Sequence, residues 1–558
     1  MSSLIKLLFI IYLFNIIDLF SQAINCTTQK QNNSESTVIA CTENGLVRGA
    51  KGLNFPNVIT FKGIPYASPP IGPLRWKEPQ PSLNWNGILN ATNYSEKCAQ
   101  TDYNELVSFV GKALINTSIG KTTNLSAVLV FIHGGAFSIG AAEMTDGEAL
   151  ANKGIIFVSI QYRLGPLGFL AHPALAKENP KIHGNYGLLD QLFAIKWVKN
   201  NIINFGGDPE RITVGGHSAG AISAYMLANT PLSSNLFNAI ICESGGIFYP
   251  GDPQKDRNWT DIYSIKEAEN VGTLHFSSIL GSNNVTAQQL RDLPVEKIFE
   301  RKWFKTQGFL WHPVLDGYVF ERPIKQTIEQ GLQNQVYMLM GLNNDEFGAS
   351  PLNNITLEQY KQNATITFGK LSDEYFQLYP ASDDKSASEQ TEYFWILNNN
   401  LFEGICLDKR QRAQTTIVNN ELREHSNILQ YLWAQLWLKT NKKSLYQYKW
   451  THSLPNTEST LGSFHGAEIS YFENSLYMFP QIKMNESEHN LADKMSSYIV
   501  NFVNNYNPNG NKLPIWTNQL EGQKTVMSIG NSFGPIPLAK SQQDKKIEFI
   551  QKVIENNN

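Results

Sequence analysis

The sequence predicts an α/β fold built on a large, mostly parallel sheet with helices on both faces. Two observations carry the prediction. Five short runs are apolar throughout rather than alternating, which suits strands covered on both sides. Among them lie segments with apolar residues at helical spacing, so strand and helix alternate along the chain. In sheets of this kind, ligands bind at the carboxyl ends of the strands, and the chemistry is sought there.

The first run, residues 128–132 (VLVFI), leads directly into His133-Gly134-Gly135. The second covers residues 155–160 (IIFVSI). Residues 185–201 (NYGLLDQLFAIKWVKNN) place Leu188, Leu189, Leu192, Ile195 and Val198 near helical spacing, so a helix follows. Residues 211–214 (RITV) are the third run, 239–242 (AIIC) the fourth and 336–340 (VYMLM) the fifth. Residues 221–227 (AISAYML) are expected to form a helix just after the third.

Composition narrows the function class. The 558 residues are 42% hydrophobic and 17% charged, which excludes wholesale disorder. Forty-six basic and 49 acidic side chains leave a net charge of −3, so nothing points to nucleic acid as a partner. There is no internal repeat and no long linker, and a single domain is expected over residues 24–558.

The N-terminus predicts export. Lys6 precedes an apolar stretch from Leu7 to Phe14, and Ser21 and Ala23 are the small residues of a signal peptide (1–23) cut after Ala23. The expected location is extracellular or the lumen of secretory vesicles. Acceptors for N-glycans begin at Asn25, Asn32, Asn90, Asn93, Asn116, Asn124, Asn258, Asn284, Asn354, Asn363 and Asn485. No later run is long enough to span a membrane, so no transmembrane anchor is expected. Residues 545–558 read as a polar helical tail. Five cysteines, Cys26, Cys41, Cys98, Cys242 and Cys406, follow the cut. Cys242 is expected to be a buried free thiol, and the fold is expected to rely on its core rather than on disulfides.

At the end of the third run stands Gly216-His217-Ser218-Ala219-Gly220. The pentapeptide alone is weak, since roughly one chain in five of this length holds a G-x-S-x-G by chance. Its place between a strand and a helix is what counts. Small flanking residues permit a tight turn that exposes the serine hydroxyl at the sheet edge, beside the N–H groups of a helix start. A serine needs a base to take its proton and donors for the oxyanion it creates. His133-Gly134-Gly135-Ala136-Phe137, closing a strand of the same sheet, is the candidate oxyanion loop.

These residues resemble the type-B carboxylesterase and cholinesterase family of α/β-hydrolases, from about Gly45 to Trp516. Residues 61–67 (FKGIPYA), 162–169 (YRLGPLGF), 184–191 (GNYGLLDQ), 205–209 (FGGDP) and 312–317 (HPVLDG) carry the resemblance alongside the serine segment. It implies Ser218 as nucleophile, Glu346 in 341–346 (GLNNDE) as acid and His465 in 462–466 (GSFHG) as base. It also implies oxyanion donors at the N–H groups of Gly135, Ala136 and Ala219. No metal or organic cofactor is needed, and the substrate would be a small-molecule or lipid ester. The oligomeric state is left open.

The residues themselves agree on order, because hydrolase triads run Ser, acid, His along the chain. Of His425, His452, His465 and His489, only His465 has a glycine directly after it and another three residues before. Asp345 and Glu346 both follow the fifth run, and one is expected to face the imidazole while the other is solvated. Three departures from the cholinesterases bear on substrate. His217 stands where they carry glutamate. No tryptophan lies between Cys98 and His133, so a cation–π site for choline is missing. Residues 112–116 (KALIN) are a degraded version of the family's strand after that loop. Uncharged carboxylic esters are therefore expected. The alternatives are a catalytically silent storage or adhesion member of the fold, or a lipase.

Overall fold

The computed structural model describes residues 37–94, 97–100, 113–118, 124–245, 263–299, 311–346, 356–390, 420–455 and 461–556. The predicted signal peptide 1–23, Cys26, Cys406, and acceptors Asn25, Asn32, Asn258 and Asn354 lie outside them. In chain order the strands are β1 (Thr37–Thr42), β2 (Gly45–Lys51), β3 (Val58–Ile64), β4 (Ile88–Asn90) and β5 (Ala113–Ser118). Next come β6 (Ser126–Ile132), β7 (Ile156–Ile160), β8 (Gly207–His217), β9 (Ala239–Glu243) and β10 (Tyr263–Ser264). The last are β11 (Val314–Leu315), β12 (Tyr337–Asn343), β13 (Leu445–Trp450), β14 (Thr525–Ile529) and β15 (Gly534–Pro537).

All five apolar runs are neighbours in one 13-stranded sheet, ordered β1-β2-β3-β5-β7-β6-β8-β9-β12-β13-β14-β15 with β4 beside β2. From β7 to β14 every pairing is parallel, β1, β2, β3, β5 and β15 join antiparallel on the two sides, and β4 lies parallel to β2. The degraded segment near residue 113 remains a strand: β5 bridges β3 and β7.

The unbroken apolar runs follow from two cores, one on each face. Val128, Val130 and Ile132 of β6 join the first core, with Leu188, Leu192 and Ile195 of helix α1 (Tyr186–Asn201) and Ala221, Ala224 and Leu227 of helix α2 (Ala219–Ala228). Trp433 and Trp437 of helix α3 (Asn420–Thr440) complete that face. Ala127, Leu129 and Phe131 join the second core, against Met495, Tyr498, Ile499 and Phe502 of helix α4 (Glu486–Asn505). Each aliphatic side chain buried this way contributes about 1.5–3 kcal/mol, and β6 is accordingly apolar from Ala127 to Ile132.

Two expectations need correction. The C-terminal segment is not a polar tail: in helix α5 (Gln543–Asn556) Ile547, Phe549, Ile550 and Val553 are buried against Tyr375 and Ile428. Its Lys546 is buried too, paired with Glu424 and lying 4.5 Å over the Tyr379 ring. The other charged residues, Asp544, Lys545, Glu548, Lys552 and Glu555, are exposed along the opposite side of an amphipathic helix. Core packing is also not the only restraint, because Cys41 is disulfide-bonded. Cys98 and Cys242 are free, so its partner lies outside the described residues. Cys242 is the buried thiol expected, and burial raises its pKa.

Candidate active site

The carboxyl ends of the parallel strands form one rim. Ile132 pairs with Gly216, His217 with Glu243, and Glu243 with Gly341. The segments starting at His133, Ser218, Ser244 and Asn344 therefore leave the sheet side by side.

Ser218 stands alone between β8 and α2, at φ 56° and ψ −123°. A non-glycine residue there carries about 1–3 kcal/mol of strain, which the surroundings must hold. The Ser218 N–H donates to the Glu243 carbonyl at 2.9 Å, and the Ser218 carbonyl accepts from Ile222 N–H at 2.9 Å. The glycines are required by space. A Cβ on Gly220 would sit 1.9 Å from the Ile132 carbonyl oxygen, and one on Gly216 would sit 2.5 Å from the Gly220 carbonyl carbon. Gly220→Ala is accordingly expected to destabilise the fold by about 3 kcal/mol. A urea midpoint equal to wild type would contradict this packing.

The loop after β6 passes directly over that turn. A Cβ on Gly134 would meet the Ser218 Cβ at 3.0 Å. Gly135, Ala136 and Phe137 follow at φ 111°, 51° and 58°, a run of left-handed residues that turns the backbone sharply. Among the described residues, nothing accepts a hydrogen bond from the N–H of Gly135, Ala136 or Ala219. The loop is braced from behind. His133 is stacked on Tyr162 at 4.6 Å, its Nδ1 lies 2.8 Å from the Gly134 carbonyl, and burial pushes its pKa down to about 4. The Gln100 amide clamps Gly140 in both directions, at 3.0 and 3.1 Å.

Glu346 and His465 meet at this rim. His465 Nδ1 lies 2.6 Å from Glu346 Oε2, and Glu346 Oε1 accepts the Asn343 N–H at 2.8 Å. The His465 N–H also donates to the Glu346 carbonyl at 3.2 Å. Burial disfavours a charged His465 ring, but the Glu346 charge and hydrogen bond, and then Glu468, leave its pKa raised. Ser218 Oγ makes no hydrogen bond among the described residues, so the serine–histidine contact is open here. Such contacts are commonly loose without substrate and tighten when it binds.

Asp345 has a different fate from the solvated carboxylate expected. It is buried, and its Oδ2 accepts both the N–H and the hydroxyl of Ser463 at 2.9 Å, while the Asp345 N–H donates to the Ser463 carbonyl at 3.1 Å. It staples the histidine loop to β12. Glu468 is a rim residue that sequence reasoning misses. It is fully buried, accepts from Ser244 Oγ at 2.8 Å and from the Asn343 amide, and burial followed by Glu346 pushes its pKa up to about 7. The available signal is an acid in the first turn after His465, next to the apolar Ala467 and Ile469.

A strained serine turn, a loop whose N–H groups meet no acceptor among the described residues, and a histidine–glutamate pair share one rim. The carboxylesterase family profile matches residues 36–550. The chain belongs to the carboxylesterase family. Membership places it among carboxylic ester hydrolases and in the α/β-hydrolase superfamily. A fumonisin B1 esterase from Sphingopyxis macrogoltabida is 35% identical over 355 residues, 62% of this chain and 63% of that enzyme, so the chain spans less than two thirds of its length. The cocaine esterase of Homo sapiens is 28% identical over 519 residues, 87% of each chain. Among solved structures a PNB esterase superposes with a TM-score of 0.70 at 24% identity, covering 91% of this chain and 99% of that one, a likeness of fold.

No helix among the described residues is long and apolar enough to cross a membrane.

Proposed function

We propose that the protein is a serine carboxylesterase acting on uncharged esters through Ser218, His465 and Glu346. The observation that carries this is the 2.6 Å contact of His465 Nδ1 with Glu346 on the rim that holds the strained Ser218 turn. In the first half-reaction, His465 Nε2 takes the Ser218 proton as Oγ attacks the ester carbonyl. Glu346 holds the ring and offsets the imidazolium charge. The N–H groups of Gly135, Ala136 and Ala219 receive the oxyanion, each lowering the barrier by about 2.7–4 kcal/mol. The alcohol departs with the proton from His465. Water then attacks the acyl-enzyme by the same route and frees Ser218.

An uncharged substrate is supported by His217, which supplies no carboxylate beside the serine. Stoichiometric inactivation by an organophosphate, with the label on Ser218, tests the reading, together with turnover of p-nitrophenyl acetate, butyrate and laurate. Hydrolysis of acetate and butyrate is expected. A strong preference for laurate would make the enzyme a lipase, and no label and no turnover would make it a silent member of the family.

The raised His465 pKa sets a sign. The ring must be neutral to act as base, so kcat/KM is lost as pH falls through that pKa. The midpoint of the acid limb is expected above the ordinary histidine value of about 6.5. A midpoint well below it would contradict the Glu346 pairing.

We further propose export with N-glycans. The acceptor asparagines Asn90, Asn93, Asn124, Asn284, Asn363 and Asn485 are all exposed, and a disulfide at Cys41 suits an oxidising compartment. Endoglycosidase treatment of protein recovered from medium or vesicles is expected to lower its apparent mass. Unchanged mobility would count against the glycans.

A further inference from the structure

One half-buried side chain packs on the proposed base, with its Nε2 buried and no hydrogen-bond partner for it among the described residues. The ring of His217 lies 4.5 Å from that of His465 between centroids, with 43° between planes. His217 Nε2 has no hydrogen-bond partner among the described residues, and Glu468 Oε1 lies 4.0 Å away. On the other side, a Cβ on Gly134 would come within 3.3 Å of His217 Nδ1, so the ring fills the space between the oxyanion loop and the histidine loop.

We propose that His217 is a positioning residue for ester hydrolysis, holding the His465 ring toward Ser218, and that the two imidazoles together take up a single proton. The proposal rests on the triad assigned above. Among the described residues the His465 ring is hydrogen-bonded to Glu346 at Nδ1 alone, so it can pivot about that contact, and the adjoining imidazole limits the pivot on one side. Where the serine–histidine contact is open, that limit decides how often the ring is aligned for attack.

The single proton follows from the surroundings. Two imidazolium rings in contact would repel in a site with little water to screen them. His465 has Glu346 at 2.6 Å, whereas no acceptor among the described residues lies within hydrogen-bond reach of His217 Nε2. Burial makes the neighbouring carboxyl groups harder to ionise. Glu243, its register partner on β9, has its pKa raised well above the usual carboxylate range by burial, with Glu468 and then Glu473 adding to the effect. Glu473, behind, is likewise raised by burial. Glu468 is pushed up to about 7, the Tyr448 phenol is raised by burial, and His133 at the end of β6 is neutral. Burial, then the His465 charge, depress the His217 ring well below the usual histidine value.

The test is kcat and KM for p-nitrophenyl acetate across the acid limb, for wild type, His217→Gln and His217→Glu, with active sites counted by organophosphate titration. Wild type is expected to lose kcat/KM with the slope of one proton. His217→Gln is expected to lower kcat about tenfold with KM unchanged and the slope kept. His217→Glu is expected to move the limb up by about one pH unit, because a carboxylate then faces His465. A wild-type slope of two protons, or wild-type kcat in His217→Gln, overturns the proposal. If the variants do not fold, 15N spectra of the wild-type histidines decide: one ring charging supports the proposal, and both rings charging together overturns it. Undiminished turnover in Ser218→Ala would remove the triad beneath the proposal. With Ser218→Ala inactive, a two-proton slope removes this proposal alone.

Discussion

Ser218→Ala is expected to lower kcat for p-nitrophenyl acetate by on the order of 10⁶-fold and to abolish organophosphate labelling. The loss is so large because Oγ is the atom that forms the covalent bond, and the histidine and oxyanion donors have nothing to act on without it. Folding should scarcely notice. Ser218 Oγ makes no hydrogen bond among the described residues, and the turn is held by backbone bonds to Glu243 and Ile222 that alanine retains. The urea midpoint is therefore expected to match wild type within about 0.5 kcal/mol. Turnover surviving in the alanine variant, at the wild-type rate and with one active site per chain, would mean the hydrolysis belongs to another residue.

Glu346→Gln is expected to cost on the order of 10⁴-fold in kcat with little change in KM. The amide keeps the shape of the carboxylate but can present an N–H to His465 Nδ1, which favours the wrong tautomer and no longer offsets the imidazolium. With the Coulombic lift removed, the His465 pKa drops, so the residual acid limb should move to lower pH. Asp345→Asn is the natural comparison. Asp345 touches Ser463 rather than the imidazole, so its loss should loosen the histidine loop and lower stability more than it lowers kcat. A larger kcat loss in Asp345→Asn than in Glu346→Gln would reverse the two roles.

Much of this arrangement is legible in the sequence because it is written in space-filling terms. The apolar runs of β6, β7, β8, β9 and β12 suit only strands buried on both faces, and the serine turn between strand and helix follows from its glycines. What escapes is polar and buried. β13 (LYQYKW) holds Gln447 and Lys449, yet all six residues are buried. Gln447 is accommodated by the Gln430 amide at 2.9 Å, and its carbonyl by the Trp516 indole at 3.2 Å. Such partners lie far along the chain, so no local pattern announces the strand. The same holds for Asp345 and Glu468. Their partners Ser463 and Ser244 are separated from them by 118 and 224 residues, and only the folded rim brings them together.

The double-sided burial of the central strands has a cost in alignment. Where one face of a strand is wet, a slip of one residue would drive polar groups into the core, and polarity alone keeps neighbours in phase. Here a slip would exchange one apolar row for another, so polarity is nearly silent about phase. Shape must supply it instead. Gly341 of β12 lies opposite Tyr448 of β13, and a Cβ in place of its hydrogen would be 2.2 Å from that ring. Gly215 of β8 similarly leaves room for Leu129 of β6, whose Cδ1 would lie 3.1 Å from such a Cβ. Bulk set against bareness acts as a key in a lock: one alignment of the strands fits, and it is the one that brings Ser218 and Glu346 to the same rim.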